Sequence, residues 1–196
     1  MRSIARQVDD WRRAFGRGVF PAPFAWILEL PWRRLVLSPE LLVSRLALRP
    51  GSSVLELGAG SGYYSIAVAR EPDVARLTIF DLQPAMLARC RRALANAGSV
   101  DVALVVGDCA ALPFADGTFD VVYMVTVLGE VHDRAACLRG IRRALKPDGF
   151  LSISEHLPDP DFVPLGALQR DAAAEGFALE RWRGRSWAYT ADLRPR

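Results

Sequence analysis

The stretch VLELGAGSGYYS, residues 54–65, decides the fold class of this chain. Its first four residues are mostly apolar and predict a strand, which runs directly into three alternating glycines, Gly58, Gly60 and Gly62. Glycine loses more backbone entropy on folding than other residues, so this spacing indicates positive φ angles or a close approach by another group. A glycine-rich turn between a strand and a helix is typical of nucleotide-type sites beyond the carboxyl ends of parallel strands.

Downstream of this turn, short apolar runs alternate with helical patterns, which predicts stacked βαβ units in a largely parallel sheet. The predicted parallel strands are residues 53–57, 77–81, 102–106, 119–124 and 150–155. The predicted helices are residues 63–70, 84–97, 134–145 and 165–175. Two further strands, 177–183 and 187–193, flank a Gly184-Arg185-Ser186 turn, and strands joined so tightly must form an antiparallel hairpin at one sheet edge.

A leader precedes the sheet, and its aromatic residues are Trp11, Phe15, Phe20, Phe24, Trp26 and Trp32. Ser38, Pro39 and Glu40 are typical of a helix start. We expect residues 1–49 to form a helical leader that packs on a domain of residues 50–196. The aromatics have three interpretations: a lid with an apolar acceptor pocket, a surface for a partner or membrane, or core.

The composition of the 196 residues, 51% hydrophobic with a net charge of +3, predicts one globular domain. Cys90, Cys109 and Cys137 form no C-x-x-C pair, so neither a disulfide framework nor a zinc site is indicated, and no metal is expected. The most apolar candidate span, residues 21–32, is too short and too interrupted to cross a bilayer, which favours a cytoplasmic protein. Nucleic-acid binding is disfavoured, although the basic leader with its aromatics keeps that interpretation open.

Two aspartates lie at the ends of the predicted second and third strands. Asp81, nineteen positions after Gly62, is placed to accept hydrogen bonds from two ribose hydroxyls. Asp108 is placed to accept from an adenine amino group, while the adjacent backbone N–H meets a ring nitrogen. The glycine spacing is E-x-G-x-G-x-G and not the G-x-G-x-x-G of dinucleotide sites, which disfavours a nicotinamide oxidoreductase. Together these residues indicate an adenosine with a small anionic group at its other end.

Four stretches in this order, VLELGAGSGYYS, IFDLQPAML, GDCAALPFADGTFDVV and LRGIRRALKPDGFLSISE, resemble class I S-adenosylmethionine-dependent methyltransferases over about residues 50–156. Within that class the chain is most similar to the type 11 group, which includes ubiquinone and menaquinone methylases. The resemblance implies an α/β, Rossmann-like, doubly wound sheet of seven strands, mostly parallel with an antiparallel carboxy-terminal hairpin. It also implies S-adenosylmethionine as the cofactor.

By this resemblance, the cofactor contacts are Glu56, Gly58, Ala59, Gly60, Gly62, Asp81, Leu82, Met86, Asp108 and Cys109. The glycine loop would hold the methionine end, Leu82 and Met86 would flank adenine, and Asp108 with the Cys109 backbone would read its edge. Each residue also has a structural interpretation. Without a ligand, Asp81 would cap a helix, Asp108 would form a turn, and Glu56 would be an exposed acid at a strand end. Leu82 and Met86 would belong to the core.

The implied reaction is methyl transfer by in-line displacement, for which positioning is the main requirement and no catalytic residue is obligatory. His132 and His156 follow the fourth and fifth predicted strands and are the candidate bases, with Glu130 and Glu155 near them. The short span from Glu155 to Pro164 favours a small-molecule acceptor. The alternative is a non-catalytic cofactor-binding or partner-binding subunit, and the sequence leaves monomer and homodimer open.

Overall fold

The computed structural model describes residues 36–95 and 101–196. The predicted leader aromatics and the predicted end of the helix near Gly98 lie outside the described residues. The described helices are α1 (Pro39–Arg45), α2 (Ser65–Ala69), α3 (Pro84–Leu94), α4 (Arg134–Ala144) and α5 (Leu165–Ala174). The strands are β1 (Ser52–Leu57), β2 (Val74–Asp81), β3 (Asp101–Val106), β4 (Phe119–Val125), β5 (Leu145–His156), β6 (Phe177–Arg185) and β7 (Ala188–Pro195).

The seven strands form one sheet in the order β3-β2-β1-β4-β5-β7-β6. Strands β1 to β5 pair in parallel, and β7 pairs antiparallel with both β5 and β6. The predicted fold class is therefore confirmed. The strand order reverses between β1 and β4, so the crevice where ligands bind in such sheets lies at the carboxyl ends of these two strands.

Apolar layers cover both faces of the sheet. On one face Leu138 and Ile141 of α4 and Leu168 of α5 are fully buried. On the other face Leu42 of α1 and Val68 of α2 are fully buried. Each helix thus covers the sheet with one apolar side, which is the expected way for a three-layer α/β domain to form its core.

The chain enters the described domain through α1, whose start was predicted correctly. Ser38 is the N-cap and its Oγ accepts a hydrogen bond from the N–H of Leu41 at 3.1 Å, with Pro39 in the first turn. The hydroxyl of Tyr64 donates to the carbonyl of Leu37 at 3.1 Å. This part of the predicted leader is therefore fixed to the sheet domain. Within the described residues, no helix is long and apolar enough to cross a bilayer.

Two predicted boundaries around the turns are wrong. Helix α2 begins at Ser65 and not at residue 63, because Gly60 to Tyr64 continue the turn that the glycines start. The hairpin turn is Ser186-Trp187, since Arg185 already pairs with Ala188, and Gly184 belongs to β6. A Cβ on Gly184 would lie 2.3 Å from the carbonyl oxygen of Ala188, so a close backbone approach explains this glycine.

Candidate functional site

The glycine loop after β1 has the backbone that its spacing predicts. Gly58, Gly60 and Gly62 have φ angles of +70°, +55° and +88°. A Cβ on Gly58 would lie 2.4 Å from Cγ2 of Val127, and one on Gly62 would lie 2.9 Å from Sγ of Cys90. Two of the three glycines therefore make room for neighbouring side chains of the protein itself.

The middle of the turn is joined to the end of β2 by Asp81. The N–H of Gly60 donates to Oδ2 of Asp81 at 3.1 Å, and the N–H of Gln83 donates to Oδ1 at 2.8 Å. Asp81 is buried, and burial raises its pKa against the lowering effect of these two backbone bonds. Gln83 precedes α3, so Asp81 is not the N-cap of that helix. Each carboxylate oxygen keeps lone-pair capacity for a further donor.

Glu56 lies beneath the loop at the end of β1. It is 3% exposed, so its interpretation as an exposed acid is wrong. The hydroxyl of Ser65 donates to Oε2 of Glu56 at 2.5 Å. Burial raises the pKa of Glu56 to about 7, against the lowering effect of the hydrogen bond from Ser65. Burial therefore favours the neutral form of this carboxyl.

At the end of β3, Asp108 caps a short 3₁₀ turn, Cys109–Ala111, and accepts from the N–H of Ala110 at 2.8 Å. The turn-former interpretation is thus confirmed for one carboxylate oxygen. The other, Oδ2, lies 3.6 Å from Nδ1 of His132, whose side chain is largely exposed, while that of Asp108 is partly exposed. The structure brings a predicted adenine contact and a predicted base together, while Cys109 itself is half-buried.

The apolar residues predicted to flank adenine differ in accessibility. Leu82 follows Asp81 directly and is 47% exposed, so it has surface available to a ligand. Met86 is 2% exposed and packs inside the protein. Ala59 is half-buried within the glycine loop and contacts the apolar cluster under α1 and α2. The cofactor contacts of these residues, and of the other predicted site residues, stay predictions.

A cavity of about 330 Å³ lies between α1, the end of β5 and the hairpin. Its lining includes His156, which is 4% exposed, together with Ser154 and Thr190. The hydroxyls of Ser154 and Thr190 are 2.7 Å apart, and Nη1 of Arg45 donates to Oγ1 of Thr190 at 2.6 Å. The cavity thus has a polar wall, and the structure places His156 in it, separate from His132.

Glu155 adjoins His156 on β5, and consecutive strand residues point to opposite faces. Its Oε2 accepts from the N–H of Val163 at 3.3 Å, and the hydroxyl of Tyr189 donates to the carbonyl of Val163 at 2.6 Å. Burial raises the pKa of Glu155 to about 8. This carboxyl therefore lies on the α5 side of the sheet, away from the side chain of His156.

The sequence missed the charged residues around the cavity. Asp192 is buried, with Oδ2 lying 3.1 Å from Nη1 of Arg183 and 3.4 Å from Nε of Arg181. Arg45 and Arg185 are in the cavity lining. The contact between Arg45 and Thr190 spans 145 positions, so no local pattern points to it. An alternation of arginines at 181, 183 and 185 was the available signal, and it marks one side of β6.

A family model described as a methyltransferase domain matches residues 54–149. Demethylmenaquinone methyltransferase of Corynebacterium efficiens is 37% identical over 127 residues, which are 65% of this chain and 51% of that protein. An O-methyltransferase of Pyrenophora dematioidea is 29% identical over 143 residues, 69% of this chain and 52% of that protein. The chain therefore spans about half the length of the curated relatives it matches.

Among solved structures, a SAM dependent methyltransferase from Aquifex aeolicus superposes with a TM-score of 0.81 at 19% identity. The superposition covers 89% of this chain and 98% of that one. At this identity the likeness concerns the fold alone.

Proposed function

We propose that this chain, which belongs to the class I S-adenosylmethionine-dependent methyltransferases, transfers a methyl group from that cofactor to a small-molecule acceptor. The family membership confirms the resemblance expected from the motifs. The observation that supports the proposal most is the hydrogen bond from Gly60 N–H to Asp81. It holds the glycine loop against a strand-end carboxylate beside the point where the strand order reverses.

The residues present suit this cofactor. Asp81 would receive the ribose hydroxyls on its remaining lone pairs, and Asp108 with the Cys109 backbone would receive the adenine edge. These carboxylates end neighbouring strands, which lie about 5 Å apart in a sheet. When bound, S-adenosylmethionine supplies a methyl group on a sulfonium, which needs no further activation. The task of the chain is then to hold the acceptor in line and to exclude water.

Between the two candidate bases, we propose that His156 serves the acceptor. It lines the cavity at the end of β5, whereas His132 contacts Asp108 at the nucleoside end of the site. A base must lie within hydrogen-bond reach of the proton that it removes. The size of the cavity, about 330 Å³, is in the range of small-molecule pockets and supports a small acceptor.

We also propose that the predicted leader, residues 1–49, serves as a lid over the site; of this segment, residues 1–35 lie outside the described part of the chain. Val36 and Leu37 line the same cavity, so the chain arrives from the leader at its edge. Closure would exclude water and complete the acceptor pocket. Deleting residues 2–20 should leave a folded protein that binds cofactor about tenfold more weakly and has lost turnover. Unfolding of the whole domain on this deletion would assign the leader to the core instead.

The test is an isothermal titration of the folded protein with S-adenosylhomocysteine, followed by transfer of a labelled methyl group to a metabolite panel. We expect a dissociation constant near 1 μM, which is about 8 kcal/mol. A flat titration at millimolar ligand would refute the proposal. Binding without transfer to any acceptor would favour the non-catalytic subunit, and tighter binding of NAD would favour an oxidoreductase.

A further inference from the structure

We propose that the cavity between α1, the end of β5 and the hairpin is the acceptor subsite, and that its acceptor carries a carboxylate. This inference rests on the proposed function and adds the chemical class of the substrate. Three observations support it: the place of the cavity along the sheet edge, the charges around it, and the donors that those charged groups leave available.

The first observation is the place of the cavity. Strand register sets Leu57 beside Met124 of β4 and Val125 beside Ser154 of β5. The glycine loop and the end of β5 are therefore at the same height on the same sheet edge, two strand spacings apart. This separation is about 10 Å, close enough for one site to hold a cofactor at one end and an acceptor at the other.

The second observation is an excess of positive charge. Arg45 and Arg185 line the cavity, and Arg183 lies two positions before Arg185 on β6, paired with Asp192. Burial and the charge of Arg183 both lower the pKa of Arg45, with Asp192 opposing them. Two acids adjoin this cluster among the described residues. Glu155 is in the lining, and burial raises its pKa to about 8, which favours its neutral form; Asp192 already pairs with Arg183 and Arg181. An anion in the cavity would balance a charge that the protein leaves uncompensated.

The third observation is the set of available donors. Nη1 of Arg45 bonds to Thr190, but its buried Nε has no hydrogen-bond partner within the part of the chain that the structure describes. Arg185 is exposed at the hairpin turn and makes no ion pair with the described residues. A guanidinium presents five donors in a fixed plane that matches the two oxygens of a carboxylate. The bond to Thr190 thus fixes the position from which Arg45 would contact an anion, whereas the exposed side chain of Arg185 can adjust to it.

The test uses probes that differ only in charge: 4-hydroxyphenylacetate, benzoate and indole-3-acetate, each against its own amide. Each is titrated into the full chain saturated with S-adenosylhomocysteine, and binding is followed by ligand-observed NMR. We expect at least one carboxylate to bind about tenfold more tightly than its amide. Arg185→Gln should remove most of that preference. Arg170→Gln, an exposed arginine of α5 on the other face, should retain it.

Arg45→Gln is the second variant, checked for an unchanged circular dichroism spectrum, and it should weaken the carboxylate probe while leaving S-adenosylhomocysteine affinity unchanged. If that variant loses cofactor affinity instead, Arg45 holds the cofactor and the inference fails. A flat titration for every carboxylate up to about 10 mM, or equal binding of each acid and amide, would also overturn it. These failures leave the proposed function intact, because the cofactor titration is scored separately. A failure of cofactor binding would refute the proposed function, and the probes would then be titrated into the free protein.

Discussion

The sheet edge has two halves, the ends of β1 to β3 and the end of β5 with the hairpin, and the buried acids of the two halves have different surroundings. At the ends of β1 and β2, Glu56 and Asp81 are buried among backbone amides and hydroxyls, and burial raises the pKa of both. On the hairpin, Asp192 is buried beside Arg181 and Arg183. The first half is suited to receive hydroxyls and amino groups of a ligand, and the second half is suited to receive an anion.

The two halves also differ in how the chain builds them. The glycine loop and Asp108 each follow a strand within a few residues, Asp81 is the last residue of β2, and residues 54–149 match the methyltransferase-domain model. The cavity combines α1 with β5 and the hairpin, and its residues come from both ends of the described chain. The proposed cofactor contacts thus lie in local turns, while the proposed acceptor cavity depends on long-range packing.

The largest expected effect tests whether the glycine loop is shaped by the protein itself. Gly58→Ala should lower the free energy of unfolding by about 4 kcal/mol. The alanine would have to adopt φ of +70°, which its Cβ disfavours, and this Cβ would lie only 2.4 Å from Cγ2 of Val127. Gly51→Ala is the matched control, with φ of +86° and no atom within 4 Å of its Cβ. It should cost about 1–2 kcal/mol. Urea unfolding of both variants measures the difference, and equal losses would remove Val127 from the explanation.

The next prediction concerns the charge balance of the hairpin. Asp192→Asn should destabilise the protein by about 3 kcal/mol, since it leaves the neighbouring arginines without their buried carboxylate. Asp116→Asn removes an exposed partner of Arg143, and it should cost less than about 1 kcal/mol. Thermal and urea unfolding compare the two. An Asp192→Asn variant as stable as the control would contradict the proposed excess of positive charge.

A third prediction addresses the carboxylate that joins the loop to β2. Asp81→Ala should weaken S-adenosylhomocysteine binding about ten- to a hundredfold, because two charge-assisted hydrogen bonds are lost and Gly60 loses its acceptor. Asp101→Ala, which removes an exposed aspartate paired with Arg76 at the start of β3, is the control and should bind normally. Calorimetric titration decides. Unchanged affinity in the Asp81 variant would make this residue purely structural.

The smallest effect is a pH dependence. The pKa of Glu56 is raised to about 7 in the folded state from an ordinary value of 4.5, so ionisation opposes folding and stability falls as pH rises from about 4.5 to 7. Glu56→Gln removes this loss. Between pH 5 and pH 8, the variant should gain about 2 kcal/mol relative to the wild type. Urea unfolding of both proteins across this pH range measures the gain, and a difference that stays constant from about pH 5 to pH 8 would contradict the raised pKa of the buried Glu56 carboxyl.

The sequence was sufficient to predict the succession of strands and helices along the chain and the residues that begin or end them. Ser38 begins its helix as predicted, and Asp81 and Asp108 stand at strand ends because each follows an apolar run. The sequence was insufficient where the same residue type suits two different local structures. Gly184 looks like a turn glycine, yet it lies in β6 because the backbone of β7 approaches it closely.

The cavity could not be predicted from the sequence, for a different reason. Arg45 and Thr190 meet only after α1 packs on β7, and their separation of 145 positions leaves no periodic signal. His156 is similar, since its place in a cavity depends on the hairpin beside it. Residues whose role comes from tertiary packing therefore need the structure, while residues that follow a strand directly can be read from the sequence.

Hydrogen exchange of the full chain, with and without S-adenosylhomocysteine, tests most directly the division of the sheet edge into two halves. Bound cofactor should slow exchange in the turns after β1, β2 and β3, residues 58–66, 81–86 and 108–112, because these amides would be covered or newly bonded. The hairpin, residues 177–195, should exchange at an unchanged rate. Slowing confined to the hairpin, or no slowing in the three turns at saturating ligand, would contradict the account.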